Sequence, residues 1–123
     1  MAALMIVDDS EADQFLSQNI IEEYDPEITI LQAFDGQEAL EILIDLEKQP
    51  DAIFLDINMP RMSGHDFLEE YTKWENQTTI IVMLTSSDQE ADKERSQSYN
   101  CVKEFFEKPL NDSHLDILKQ LNK

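Results

Sequence analysis

The sequence predicts an α/β fold in which helices cover both faces of a parallel β-sheet. Three observations carry this. Short apolar runs alternate along the chain with segments of helical period. The runs are almost continuously apolar, as strands buried on both faces are. Strands separated by helices also fall naturally into one parallel sheet.

Taken in order, Leu4, Met5, Ile6 and Val7 form a buried strand. Residues 11–24 follow as a helix, with Ala12, Phe15, Leu16, Ile20 and Tyr24 near one stripe. A second strand spans residues 28–34, and Asp35-Gly36 reads as a turn. The second helix spans residues 37–49, with Ala39, Leu40, Leu43, Ile44 and Leu46 on or beside its apolar stripe. Residues 52–55 are a third strand, and Phe67, Leu68, Tyr71 and Trp74 mark a third helix. Residues 80–84 and 102–106 supply two more strands. Leu115, Leu118 and Leu121 mark the last helix. Between the last two strands, residues 88–99 carry little that is apolar beyond Ala91 and Tyr99, so a helix there is exposed or marginal.

The 123 residues suit one domain, spanning 1–123, with no linker and no output domain. The net charge of −18 disfavours nucleic acid and anionic membrane as partners and favours metal cations and basic protein surfaces. No apolar run is long enough for a signal peptide or a membrane span, which suggests a cytoplasmic protein. The single cysteine, Cys101, forms no internal disulfide and reads as a small buried hydrophobe. His65 and His114 lack metal-ligand spacing and read as solvent-exposed.

Ligands of doubly wound sheets bind outside the carboxyl ends of the strands. Asp8 and Asp9 follow the first strand, Asp56 the third, Thr85 the fourth and Lys108 the fifth, so all fall on that edge. Carboxylates gathered there repel unless a cation intervenes, and Mg2+ suits a few carboxylates completed by water and phosphate oxygens. An aspartate can itself attack phosphorus. Each piece alone has an ordinary reading. Asp9 or Ser10 can cap the first helix, residues 85–88 can open another, and Lys108-Pro109 can be a plain strand exit. Their joint placement sets them apart.

The ordered motifs resemble the receiver domain of two-component response regulators. They are Met5-Ile6-Val7-Asp8-Asp9, Phe34-Asp35-Gly36-Gln37-Glu38-Ala39-Leu40, Leu55-Asp56-Ile57-Asn58-Met59-Pro60 with Gly64, Leu84-Thr85, and Phe105-Phe106-Glu107-Lys108-Pro109. The resemblance covers essentially the whole chain. It implies a flavodoxin-like, doubly wound (βα)5 fold with strand order 2-1-3-4-5. It implies Asp56 as phosphoacceptor, with Asp9 and the Asn58 carbonyl as Mg2+ ligands and Asp8 acting on the metal directly or through water. Lys108 would pair with the phosphoryl group, Thr85 would be the switch hydroxyl and Phe105 the switch aromatic, and the bond to Pro109 would be cis. The implied partners are a histidine kinase or histidine phosphotransfer protein and a downstream protein target. The target would be contacted through the fourth helix, fifth strand and fifth helix, by a monomer or a phosphorylation-dependent dimer.

Some features depart from that pattern. Phe105 lacks the hydroxyl that tyrosine often brings there, which favours an inward ring. Tyr99-Asn100-Cys101 replaces the small pair often found before the fifth strand. Two other readings remain: an interaction module that works without phosphorylation, and a Mg2+-dependent phosphohydrolase with an aspartate nucleophile. The second is weakened by Asn58, which stands where a general acid would be needed and cannot donate a proton in that role.

Overall fold

In a computed structural model, residues 1–57, 59, 62–74, 78–85, 94, 95 and 97–122 are described. The elements are β1 (Ala3–Val7), α1 (Glu11–Tyr24), β2 (Thr29–Ala33), α2 (Gly36–Asp45), β3 (Ala52–Leu55), α3 (Gly64–Tyr71), β4 (Ile80–Thr85), β5 (Val102–Glu107) and α4 (Asp112–Leu121). The strands form one parallel sheet in the order β2-β1-β3-β4-β5, the order implied by the resemblance. The polar helix expected across residues 88–99 falls largely outside the described residues.

Side chains alternate along the strands and build two cores. Met5, Val7, Ile53, Leu55, Ile81 and Met83 join Ala39 and Leu43 of α2 and Phe67, Leu68 and Tyr71 of α3. Leu4, Ile6, Ala52, Phe54, Val82 and Leu84 join Ile21 of α1 and Leu115 and Leu118 of α4. The two-residue period of a strand is what sorts neighbours to opposite faces.

Helix starts are set by side-chain caps. Ser10, Asp35, Ser63 and Asn111 accept hydrogen bonds from the backbone N–H groups of Asp13, Glu38, Asp66 and His114, at 3.2, 2.8, 3.2 and 3.1 Å. Asp35-Gly36 is therefore the opening of α2 rather than a free turn. α2 stops at Asp45, short of residue 49, because the Gln49 side chain donates to the carbonyls of Leu43 and Leu46 at 2.8 and 3.4 Å. α3 starts at Gly64, three residues before Phe67.

Three expectations about burial are corrected. α1 buries Gln14, Ser17 and Ile21, so its inward face lies one residue away from the apolar stripe, and Phe15 and Leu16 are 64% and 54% exposed. His65 is buried on the inward face of α3, and His114 is half-buried, stacked on Phe106 with ring centroids 4.2 Å apart. Cys101 is only half-buried, against the edge of the α2–α3 core.

Candidate functional site

The parallel sheet carries Asp8, Asp56 and Lys108 to one edge because each directly follows its strand. Backbone bonds fix the two acids there. The Asp56 N–H donates to the Val7 carbonyl at 3.0 Å, and the Asp8 N–H donates to the Ala33 carbonyl at 3.0 Å. Gly64 packs tightly against the other side of Asp56. A β-carbon at that position would collide with the Asp56 carbonyl, and the Gly64 N–H donates to Ile57 O at 2.8 Å.

Carboxylate oxygens of Asp8, Asp9 and Asp56 lie within 4.8 Å of one another. Asp8 and Asp56 are buried and Asp9 is exposed, so the group runs from the interior to the surface. Asp8 and Asp56 are held alike. One oxygen of each accepts a backbone N–H, from Ser10 at 3.0 Å and from Ile57 at 2.8 Å. The other faces the Lys108 ammonium, at 2.6 Å from Asp8 and 3.5 Å from Asp56.

These surroundings shift the ionisations in opposite ways. Burial raises the Asp56 carboxyl above the usual range and the Asp8 charge adds to this, while Lys108 and the Ile57 N–H oppose it. Burial alone would weaken the Lys108 ammonium, but its bonds to Asp13 and Asp8 and the nearby charges of Asp56 and Asp8 outweigh that and raise it. Lys108 therefore stays a cation at any physiological pH.

Of the other residues singled out in the sequence, Thr85 ends β4 and pairs in register with Glu107. Phe105 is half-buried at the rim of the α2–α3 core, whereas its neighbour Phe106 is fully within the opposite core. The Lys108–Pro109 peptide is cis. Asn58 lies outside the described residues. Sequence reasoning passed over Asp13, whose carboxylate binds Lys108 at 2.8 Å. Its signal was available: an acid in the first turn of the helix that leaves the Asp8-Asp9 edge.

The arrangement offers a buried carboxylate for attack, neighbouring acids for a cation and a fixed ammonium. That is the equipment for transfer of an anionic group to oxygen. Comparison with known proteins gives the family. Residues 4–119 match the response regulator receiver domain family. Sensor histidine kinase CheAY of Helicobacter pylori is 34% identical over 91% of this chain, which spans 14% of that kinase. Protein PilH of Pseudomonas aeruginosa is 27% identical over 99% of this chain and 96% of its own length. The crystal structure of the phosphorylated cyanobacterial phytochrome response regulator RcpA superposes with a TM-score of 0.81 at 25% identity, over 98% of this chain and 90% of that one. The chain belongs to the response regulator receiver domains of two-component signalling.

Proposed function

We propose that Asp56 accepts a phosphoryl group, in a Mg2+-dependent reaction, from a histidine kinase or a histidine phosphotransfer protein. The observation that carries this reading is the convergence of Asp8, Asp9 and Asp56 on one sheet edge with Lys108 bound among them. The donors are all oxygens, two of them on buried acids, and this fits a hard divalent cation completed by water and phosphate. Asp8, Asp9 and the Asn58 carbonyl would hold Mg2+, which when bound neutralises charge on the transferred group.

The rest is done by this chain's own residues. An Asp56 carboxylate oxygen attacks phosphorus, and the new O–P bond forms as the N–P bond to the donor imidazole breaks. The departing imidazole nitrogen recovers its proton from water. Gly64 leaves room for the Asp56 backbone carbonyl, and the Ile57 N–H fixes one oxygen of the Asp56 carboxylate. Lys108 supplies a positive charge for the added oxygens. The Thr85 hydroxyl moves to hydrogen-bond the phosphoryl group, and Phe105 fills the space it leaves. The changed face of residues 88–99, β5 and α4 then selects a downstream protein target, as a monomer or a dimer formed on phosphorylation. A relative contained in a sensor histidine kinase and a neighbour crystallised in phosphorylated form both support this reading. No helix among the described residues is long and apolar enough to cross a membrane, in keeping with action in the cytoplasm beside such a donor.

The test is intact-mass analysis after incubation with acetyl phosphate and Mg2+. The wild type gains one phosphoryl mass, and the gain disappears without Mg2+ and in Asp56→Asn. A gain that persists in Asp56→Asn overturns the assignment. So does a wild type that takes up phosphate neither from acetyl phosphate nor from a phosphorylated histidine phosphotransfer protein.

A further inference from the structure

We propose that Asp13 is a positioning residue that holds the Lys108 ammonium against α1, so that a phosphoryl group on Asp56 must compete with α1 for this lysine. The inference rests on the reading of Asp56 as phosphoacceptor and adds a determinant of how readily the phosphorylated state forms.

An ammonium has three N–H donors, and Lys108 directs them at three carboxylates. The separations are unequal: 2.6 Å to Asp8, 2.8 Å to Asp13 and 3.5 Å to Asp56. The residue that would carry the phosphoryl group thus has the weakest hold on the cation. Asp8 is a candidate metal ligand, and a bound cation would draw its carboxylate away from Lys108. Asp13 has no such second role. It stands in the first turn of α1, where its own N–H is fixed by the Ser10 cap, so its carboxylate is presented from a rigid base. The lysine also lies along α1: Lys108, Pro109 and Leu110 line a groove of about 410 Å3 together with Asp13, Leu16 and Ile20 of that helix. Once Asp8 turns to the cation, Asp13 is the remaining short-range competitor for Lys108 among the described residues.

The contact is half-exposed, with the Asp13 side chain 38% accessible, so its hold is moderate and can be overcome by a dianionic group. Replacing Asp13 by asparagine keeps the shape and removes the charge. Glu11 lies in the same first turn of α1, is exposed and makes no ion pair among those described, so Glu11→Gln controls for loss of one negative charge near the site.

Two measurements decide the matter. The first is the 1H–15N NMR signal of the Lys108 ammonium in metal-free protein. It is expected to shift or broaden in Asp13→Asn and to remain in place in Glu11→Gln. An unmoved signal in Asp13→Asn overturns the proposal whatever the phosphoryl chemistry. The second is the affinity for beryllofluoride, a phosphoryl mimic, in the presence of Mg2+. Asp13→Asn is expected to bind about 3- to 10-fold more tightly than wild type. Glu11→Gln should change by less than about 2-fold, and Asp13→Glu should restore the wild-type value. Equal or weaker binding by Asp13→Asn, with wild-type binding intact, overturns the proposal and leaves the phosphoacceptor reading standing. A wild type that neither binds beryllofluoride nor gains phosphate overturns that reading and this one with it.

Discussion

The two faces of the sheet are packed in different ways. On one, α2 and α3 press Ala39, Leu43, Phe67, Leu68 and Tyr71 onto the strands, and Phe67, Tyr71 and Trp74 form a run of rings with neighbouring centroids 5.4 Å apart. On the other, α1 turns inward two polar residues and one isoleucine: Gln14, Ser17 and Ile21. Gln14 explains the choice. Its Nε2 lies 3.0, 3.1 and 2.8 Å from the carbonyls of Ile6, Asp8 and Ala33, so one amide pins the ends of β1 and β2 where the acidic site begins. One face is built for cohesion by apolar area. The other has an apolar core as well, through Ile21, Leu115 and Leu118, but beside Asp8 its helix α1 gives up apolar contact to fix backbone geometry and leaves Phe15 and Leu16 in solvent.

The sharpest way to break this contrast is to cut an aromatic from each face. Phe67→Ala empties a fully buried ring site and is expected to cost about 3–5 kcal/mol in urea unfolding. Phe15→Ala removes a ring that is mostly in solvent and should stay within about 0.5 kcal/mol. Comparable losses from the two would mean that α1 is held by its apolar residues after all. A smaller effect is expected of Gln14→Leu, which keeps the side chain's bulk and loses its donors. The buried carbonyls at the ends of β1 and β2 each lose a partner, at a cost of about 1–3 kcal/mol. The same variant should alter the amide NMR shifts of Asp8 and Asp9 more than those of α3. A stability gain from the added leucine surface would show that the amide does not serve as the anchor.

The strands and their order were legible because buried parallel strands must be apolar at nearly every position, and β1, β3 and β4 are. The site edge was legible for the same reason: once the strand ends are known, Asp8, Asp56 and Lys108 fall beside one another. α1 was misread because hydrophobic periodicity assumes that burial follows apolarity. At Gln14 it follows hydrogen bonding to the carbonyls of Ile6, Asp8 and Ala33, which apolar periodicity does not register, the last of them 19 residues away in β2. His65 differs: it stands three residues before Leu68 on the stripe that α3 buries, so the helical period carries it inward, and the expectation of exposure came from its ionisable ring alone. Asp13 had only its place in the first turn of α1 to mark it, because its partner is 95 residues away and the folded sheet makes them neighbours.

The smallest effect tests whether the burial of Asp56 carries a stability cost. Burial and the Asp8 charge raise the Asp56 carboxyl above the ordinary aspartate value of 3.8, so the folded protein binds this proton more tightly than the unfolded chain does. Asp56 therefore loses stability for the fold as pH rises from about 3.8 through its folded value, and it remains a burden at neutral pH. Asp56→Asn removes the charge and keeps the shape. In metal-free buffer it should be more stable than wild type at pH 7, and the gap should close as the pH falls toward 4 and the wild-type acid takes up its proton. Adding Mg2+ should narrow the gap from the other direction, because a cation held beside Asp56 offsets the cost of a buried charge that the asparagine variant does not carry. A variant less stable than wild type at pH 7 would mean that the 3.5 Å contact with Lys108 outweighs burial, and that the site is part of what holds this face together.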